Sequence, residues 1–210
     1  MAELNADAIQ TLLSLYVIDS KLDIDFSAFA AYLALLLKWN EKINLTAIRA
    51  PEEIVQRHFG ESLFAASCLP ASATTILDFG SGGGFPGIPI QIARPDSRVT
   101  LAESQTRKAA FLQEAVRTLG LGAEVWPKRV EEMPTERTFS VVVMRAVDKM
   151  GQALPEAMKR VQSGGSLLLL STSGDEAKIK ESLPQIEWAA SKAIPLTEQG
   201  IVLLGTKGST

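Results

Sequence analysis

The sequence predicts an α/β fold, a doubly wound and mostly parallel sheet with a helical cap at its N-terminus. Three observations predict it. Residues 1–68 carry apolar side chains at three- and four-residue spacing, the period of helices. From residue 75 onward, short apolar runs alternate with amphipathic ones, as strands joined by crossover helices do. The first of those runs ends in a glycine-dense turn, where the backbone of such a fold can approach a ligand closely. The expected division is a cap over residues 1–70 and an α/β domain over residues 71–210.

The elements follow in order. Ala8 to Val17 and Phe26 to Trp39 read as helices, the second capped by Asp25 or Ser27 and free of Gly and Pro. Pro51, Glu52 and Glu53 start a third, because proline suits the first turn and acids suit its dipole. It runs through His58 and Phe64 and stops before Pro70. Thr75 to Phe79 is a short strand, then come Gly80 to Gly87 and a helix from Ile88 to Ala93. Arg98 to Ala102 is a strand ending in Glu103, and Gln105 to Leu119 a helix stopped by Gly120. Ala123 to Trp126 and Phe139 to Met144 are strands, Met150 to Val161 a helix, and Gly165 to Ser171 the fifth strand. The tail adds a short helix, Glu176 to Ser182, and strands at Gln185 to Lys192 and Ile201 to Gly205.

Composition sets the outer limits. Apolar residues make up 46% of the 210, enough to bury a core and too many for intrinsic disorder. No apolar run approaches the ~20 residues of a membrane span. Met1 to Leu15 lacks a basic start and a small-residue cleavage site, so no secretory signal is expected. One cysteine, Cys68, and one histidine, His58, allow no internal disulfide and argue against the usual Cys/His zinc sites. No metal is expected, and the expected compartment is reducing cytoplasm. No long heptad seam is present, and a monomer is expected. The net charge of −3 is unevenly spread: five acids and one base fall in residues 1–37, and the remainder is nearly balanced. A local basic face is therefore compatible with an acidic chain.

The glycine loop is the strongest chemical signal. Gly82-x-Gly84-x-x-Gly87 matches a dinucleotide fingerprint, but Asp78 lies inside the preceding strand. Asp78-x-Gly80-x-Gly82-x-Gly84 is the first motif of class I methyltransferases, which are Rossmann-like. A carboxylate there suits a cationic sulfonium and its ammonium group better than a pyrophosphate. Glu103 ends the second strand, where an acid accepts both hydroxyls of a ribose. Lys128-Arg129-Val130-Glu131-Glu132 follows the third strand and is either an adenine contact, with Val130 on the ring and backbone groups at 130 and 131 at its edge, or a mixed-charge surface turn. Arg145 and Asp148 follow the fourth strand, at the edge where these folds bind ligands. The arginine there holds a phosphate, stacks on a base, or is a solvated charge. Cys68 reads as a small apolar residue and Trp39 as core. His58, beside Phe59, reads from pattern alone as a core residue before a catalyst.

Six segments together carry a family resemblance. They are Trp39 to Thr46, Arg57 to Leu63, Asp78 to Pro89, Glu103-Ser104 with Arg107 to Leu112, Arg129 to Glu132, and Arg145-Ala146. In that order they resemble the motifs of the RsmG family, also called GidB or glucose-inhibited division protein B. The resemblance implies a class I S-adenosylmethionine-dependent methyltransferase acting on N7 of a guanosine in the 530 loop of bacterial 16S ribosomal RNA. It implies cofactor contacts at Gly80, Phe85, Val130, Glu131 and Arg145, joining Asp78, Gly82 and Glu103 from the motif reading. Asn40, Asn44 and Arg145 are then the candidates for holding the guanine, with no general base expected, since guanine N7 has no proton to lose. RNA contacts are expected from Lys38, Lys42, Arg49, Arg57, His58, Lys128 and Arg129, whose number rather than the net charge sets the salt dependence. The chain departs from the family pattern at Glu61, usually Asp, at Arg107-Lys108, usually Lys-Arg, and near Ser173 and Gln199, where basic residues are common. From the residues alone, a small molecule or protein remains open as the methyl acceptor, and so does a binding module without turnover.

Overall fold

The computed structural model describes residues 4–17, 22, 24–145 and 150–208. Eight strands form one sheet in the order β3-β2-β1-β4-β5-β8-β6, with β7 also paired to β8. They are β1 (Thr75–Phe79), β2 (Arg98–Ala102), β3 (Glu124–Trp126), β4 (Phe139–Arg145), β5 (Val161–Thr172), β6 (Ile186–Trp188), β7 (Lys192–Ala193) and β8 (Gly200–Lys207). The first five are mutually parallel, and β8 runs antiparallel to β5, β6 and β7. The helices are α1 (Ala6–Leu13), α2 (Phe26–Asn40), α3 (Pro51–Ile54), α4 (Glu61–Cys68), α5 (Gly87–Ala93), α6 (Thr106–Thr118), α7 (Met150–Arg160) and α8 (Glu176–Ser182). The doubly wound, mostly parallel sheet expected from the sequence is present.

Local chemistry accounts for several boundaries. Asp25, not Ser27, caps α2: its Oδ1 accepts from the N–H of Ser27 at 2.8 Å and of Ala28 at 3.2 Å. Pro51 stands at the start of α3 with Glu52 and Glu53 in its first turn. The expected third helix is one run with a wider π-helical stretch, Val55–Gly60, between α3 and α4. Such stretches are common where side chains serve a site. The first helix closes at Leu13 in a tighter turn, Ser14–Tyr16, and does not reach Val17. The expected strand Gln185 to Lys192 is two strands. Ala189 still donates to Leu204 O, but the chain then leaves the ladder, and Ser191 Oγ donates to Glu176 at 3.1 Å. Ala146 and Asp148 lie outside the described residues.

The sheet is covered on both faces, which is why its central strands read as continuous apolar runs. Val141 and Val143 of β4 face one core, and Val142 and Met144 the other. The first core joins α1 to α6, including Phe29, Tyr32, Leu36, Phe59, Ile88 and Phe111. The second holds Leu154 and Met158 of α7 with Ile179 of α8. Trp39 packs against the first core, its ring edge-on to Phe111 at 5.8 Å, and Cys68 is buried, as expected. No helix among the described residues is long and apolar enough to cross a membrane.

Phe59 joins the N-terminal helices to the glycine loop. Its ring is fully buried, 5.3 Å from Phe29, 5.0 Å from Tyr32 and 5.9 Å from Phe85. Phe59→Ala is expected to lower the unfolding free energy by about 3–5 kcal/mol, read as a shifted chemical denaturation midpoint with an unchanged slope.

Candidate active site

Strand order reverses at the boundary between β1 and β4, because the chain leaves β1 toward β2 and returns to β4 on the other side. In such sheets the crevice outside the carboxyl ends of the strands at that boundary is the ligand site. Two features converge there. The loop Gly80–Pro86 leaves the end of β1, and Arg145 ends β4. Gly80 and Gly82 have φ of +79° and +54°. A Cβ built on Gly80 would meet nothing within 4 Å, so open space lies above the loop. Glu103, just beyond β2, closes one side. Its Oε2 accepts from Gly82 N–H at 3.0 Å and its Oε1 from Gln105 N–H at 2.7 Å.

Arg145 is braced by the N-terminal helices. Its Nη2 lies 2.7 Å from His58 Nδ1 and 3.1 Å from Glu61 Oε2. Glu61 also takes Arg57 Nε at 3.0 Å. The guanidinium sits over the Phe85 ring at 5.9 Å, and His58 stacks on the same ring at 4.6 Å. Arg145 Nη1 is buried with no hydrogen-bond partner. Arginine only donates, so His58 Nδ1 is the acceptor and the ring proton is on Nε2. That nitrogen lies 2.6 Å from Thr46 Oγ1. Burial, reinforced by the charges of Arg145 and Arg57, pushes the His58 pKa down to about 3. His58 is therefore neutral near pH 7, with both nitrogens engaged.

The glycine loop is pinned from beneath. Asp78 is fully buried, and its Oδ2 accepts from Gly87 N–H at 3.0 Å, at the start of α5. A Cβ on Gly87 would sit 2.6 Å from that oxygen, so only glycine allows the approach. Oδ1 is buried without a partner, and burial pushes the Asp78 pKa up to about 7. The Tyr32 hydroxyl, also buried, donates to Gly83 O.

These positions match a known family. The description GidB, rRNA small subunit methyltransferase G, matches residues 25–202. The chain belongs to the rRNA small subunit methyltransferase G family. A ribosomal RNA small subunit methyltransferase G from Xanthomonas campestris pv. campestris (strain 8004) is 37% identical over 182 residues, 86% of this chain and 84% of its own. One from Stenotrophomonas maltophilia (strain K279a) is 40% identical over 171 residues, 81% of this chain and 79% of its own. Among solved structures, cofactor-bound Rv0187 from MTB superposes with a TM-score of 0.62 at 20% identity, covering 98% of this chain and 99% of that one. A ribosomal protein L11 methylase from Lactobacillus delbrueckii subsp. bulgaricus gives 0.61 at 12% identity, over 73% and 79%. At such identities the structural matches speak for the fold, that of class I methyltransferases.

Against that family pattern, several expected roles change. Asp78 is sealed beneath the loop, so it anchors α5 and does not line the crevice. The Val130 side chain is buried in the second core, because the short turn Val130–Glu132 rotates it inward and leaves Glu131 exposed. Asn40 spends its amide oxygen and one amide N–H on the neighbouring loop. Its Oδ1 accepts from Leu45 and Thr46 N–H at 2.9 and 3.1 Å, and its Nδ2 donates to Thr46 O at 3.1 Å. It staples the loop that carries Thr46. Asn44 is exposed on that loop. His58 is consumed by Thr46 and Arg145 and has no nitrogen to offer RNA. Lys38, Lys42, Arg49, Arg57, Lys128 and Arg129 are exposed, with Arg57 paired to Glu61, Arg49 donating to Thr46 O, and Lys128 5.9 Å from the Trp126 ring. Sequence reasoning missed Tyr32, Thr46 and Glu61 as parts of the site, although the last two lie inside quoted motifs.

The two displaced pKa values predict opposite slopes of stability with pH. Folded His58 releases its proton near pH 3, against an ordinary value of 6.5, so its contribution is full above about pH 6.5 and is lost as pH falls. Folded Asp78 holds a proton up to about pH 7, against 3.8, so its contribution is full at low pH and is lost as pH rises. Between about pH 4 and 6.5 the two slopes oppose, each on the order of 1.4 kcal/mol per pH unit. His58→Gln should then lose stability with rising pH relative to the parent, and Asp78→Asn should gain it. Denaturant unfolding at three pH values across that window measures this, and parallel profiles for all three proteins would contradict it.

Proposed function

We propose that this chain transfers a methyl group from S-adenosylmethionine to N7 of a guanosine in the 530 loop of 16S ribosomal RNA. The observation that carries this is the convergence of the glycine loop, Glu103 and Arg145 at the switch point of the sheet, in a chain of this family. Residues 71–210 form the catalytic unit and residues 1–70 the cap folded against it. The protein acts as a monomer in the cytoplasm, on the small ribosomal subunit or an assembly intermediate of it.

The residues present fit the cofactor. Space above Gly80 and Gly82 admits a ligand against the backbone. Each Glu103 oxygen already accepts one N–H and retains acceptor capacity for the ribose hydroxyls. Arg145 Nη1 is a buried donor without a partner, and an amino-acid carboxylate would satisfy it. Phe85 contributes the wall on which Arg145 and His58 lie, and in this reading the backbone at Val130 and Glu131 meets the adenine edge. When bound, the cofactor supplies an electrophilic methyl group.

Guanine N7 carries an in-plane lone pair and no proton at neutral pH, so the protein has no proton to remove. Its work is alignment and the exclusion of water. His58 suits that role, since neither nitrogen has a free basic lone pair. Exposed Lys38, Lys42, Arg49, Arg57, Lys128 and Arg129 supply the phosphate contacts.

Labelled methyl transfer tests the assignment: label should enter small ribosomal subunits or their RNA at guanine N7 and not free metabolites. Single-turnover rates at saturating RNA and cofactor should run parallel with pH in the parent and in His58→Gln from about pH 5.5 to 8.5. A tenfold rise per pH unit in the parent that vanishes in His58→Gln would make His58 a base. Glu103→Ala should weaken S-adenosylmethionine binding by about 1.5–3 kcal/mol in calorimetry, the scale of charge-assisted hydrogen bonds. Unchanged affinity would remove Glu103 from the site.

A further inference from the structure

We infer that Thr46 and Glu61 are positioning residues that fix the orientation of Arg145, Thr46 through His58 and Glu61 directly. The inference rests on the placement of Arg145 at the cofactor proposed above.

The geometry leaves Arg145 little freedom. Nη2 has two hydrogens, and it meets two acceptors, His58 Nδ1 at 2.7 Å and Glu61 Oε2 at 3.1 Å. Both acceptors belong to one helical run, and the wider turns of Val55–Gly60 bring them to the same guanidinium. With Nη2 saturated, Nη1 is the buried donor left without a partner, the one assigned above to the cofactor.

His58 holds its arm only as the Nε2–H tautomer. Arg145, a donor only, selects that tautomer at Nδ1, and Thr46 Oγ1, 2.6 Å from Nε2, supports it by accepting the Nε2 proton. The same oxygen accepts from Ile48 N–H at 3.1 Å and keeps a second lone pair for Nε2–H. The Thr46 backbone is fixed in turn by Asn40, through its N–H and its C=O, and its C=O also accepts from Arg49. Without the Thr46 hydroxyl, Nε2–H would lose its acceptor, and the proton could move to Nδ1. Nδ1–H would then confront an Arg145 N–H, donor against donor, and Arg145 would turn away. Glu61 acts separately: its carboxylate carries the charge that balances the buried guanidinium and is itself held by Arg57 at 3.0 Å.

The chain has one histidine, so its imidazole ¹⁵N signals report this arrangement directly in the full-length protein. The parent should show the Nε2–H tautomer. Thr46→Val should shift the signals toward Nδ1–H and weaken S-adenosylhomocysteine binding about tenfold in calorimetry without RNA, the scale of one hydrogen bond to a charged group. Thr46→Ser should restore both readouts. Glu61→Gln should weaken binding with the tautomer unchanged. In an Arg145→Ala background, Thr46→Val should add no further loss. An Arg145→Ala protein with parental affinity would remove Arg145 from the cofactor site and take this inference with it. If Arg145→Ala weakens binding, three results would each overturn the positioning role alone: an unshifted tautomer or unchanged affinity in Thr46→Val, unchanged affinity in Glu61→Gln, or a Thr46→Val loss of equal size with and without Arg145.

Discussion

Arg145 ends β4 with its guanidinium buried, and a buried cation is tolerable only where partners replace the water it has lost. Those partners come from the N-terminal helical run and not from the sheet. His58 is 87 residues away in sequence, and Glu61 lies one turn beyond it. Removing one partner of such a pair leaves a charge uncompensated, which costs about 3–5 kcal/mol in comparable buried pairs. The crevice of the α/β sheet therefore depends on helices that precede it, and the charge balance of the site exists only in the folded whole.

The same dependence recurs in the apolar contacts. Tyr32 of α2 holds Gly83 O of the loop, and its ring lies 5.6 Å from Phe85. Phe85 receives His58 on its face, and Phe59, the next residue, packs between Tyr32 and Phe29. Asp78 fixes the loop from the opposite side by holding the start of α5. A glycine-rich loop has many conformations available to it, and these contacts select one. Selection before binding reduces the ordering that a ligand would otherwise have to impose.

The fold was largely legible because its signals are local. The runs Thr75–Phe79 and Arg98–Ala102 are both buried strands bounded by turn residues, and their ends are marked by glycine or by Glu103. The pairing order of β8 and β6 was not legible, since short strands near Gln185 carry no mark of which neighbour they meet. The site was legible by position and less so by role. Glu103 and the glycines declare themselves by standing at strand ends. The loop-stapling contacts of Asn40 were not legible because its partners, Leu45 and Thr46, are local but need a bend that no residue pattern states. Asp78 was misread because a carboxylate inside a strand gives no sign of which face it takes, and here it faces the packed α5. Thr46 and Glu61 became visible only once Arg145 was placed, because their significance lies in contacts across most of the chain.

The features that disable His58 as a base also make it useful. Burial and two neighbouring arginines keep it neutral, and neutrality is what lets Nδ1 accept from Arg145 at 2.7 Å. A protonated ring would set two cations in contact and break the brace. An acid or an amide in its place would lack the ring face that stacks on Phe85. A neutral imidazole offers an acceptor, a donor and a flat face at once. A reaction that removes no proton from its substrate can use histidine in this way, as a rigid spacer whose charge stays off. The lone histidine of the chain thus bridges Thr46 and Arg145 with both ring nitrogens engaged.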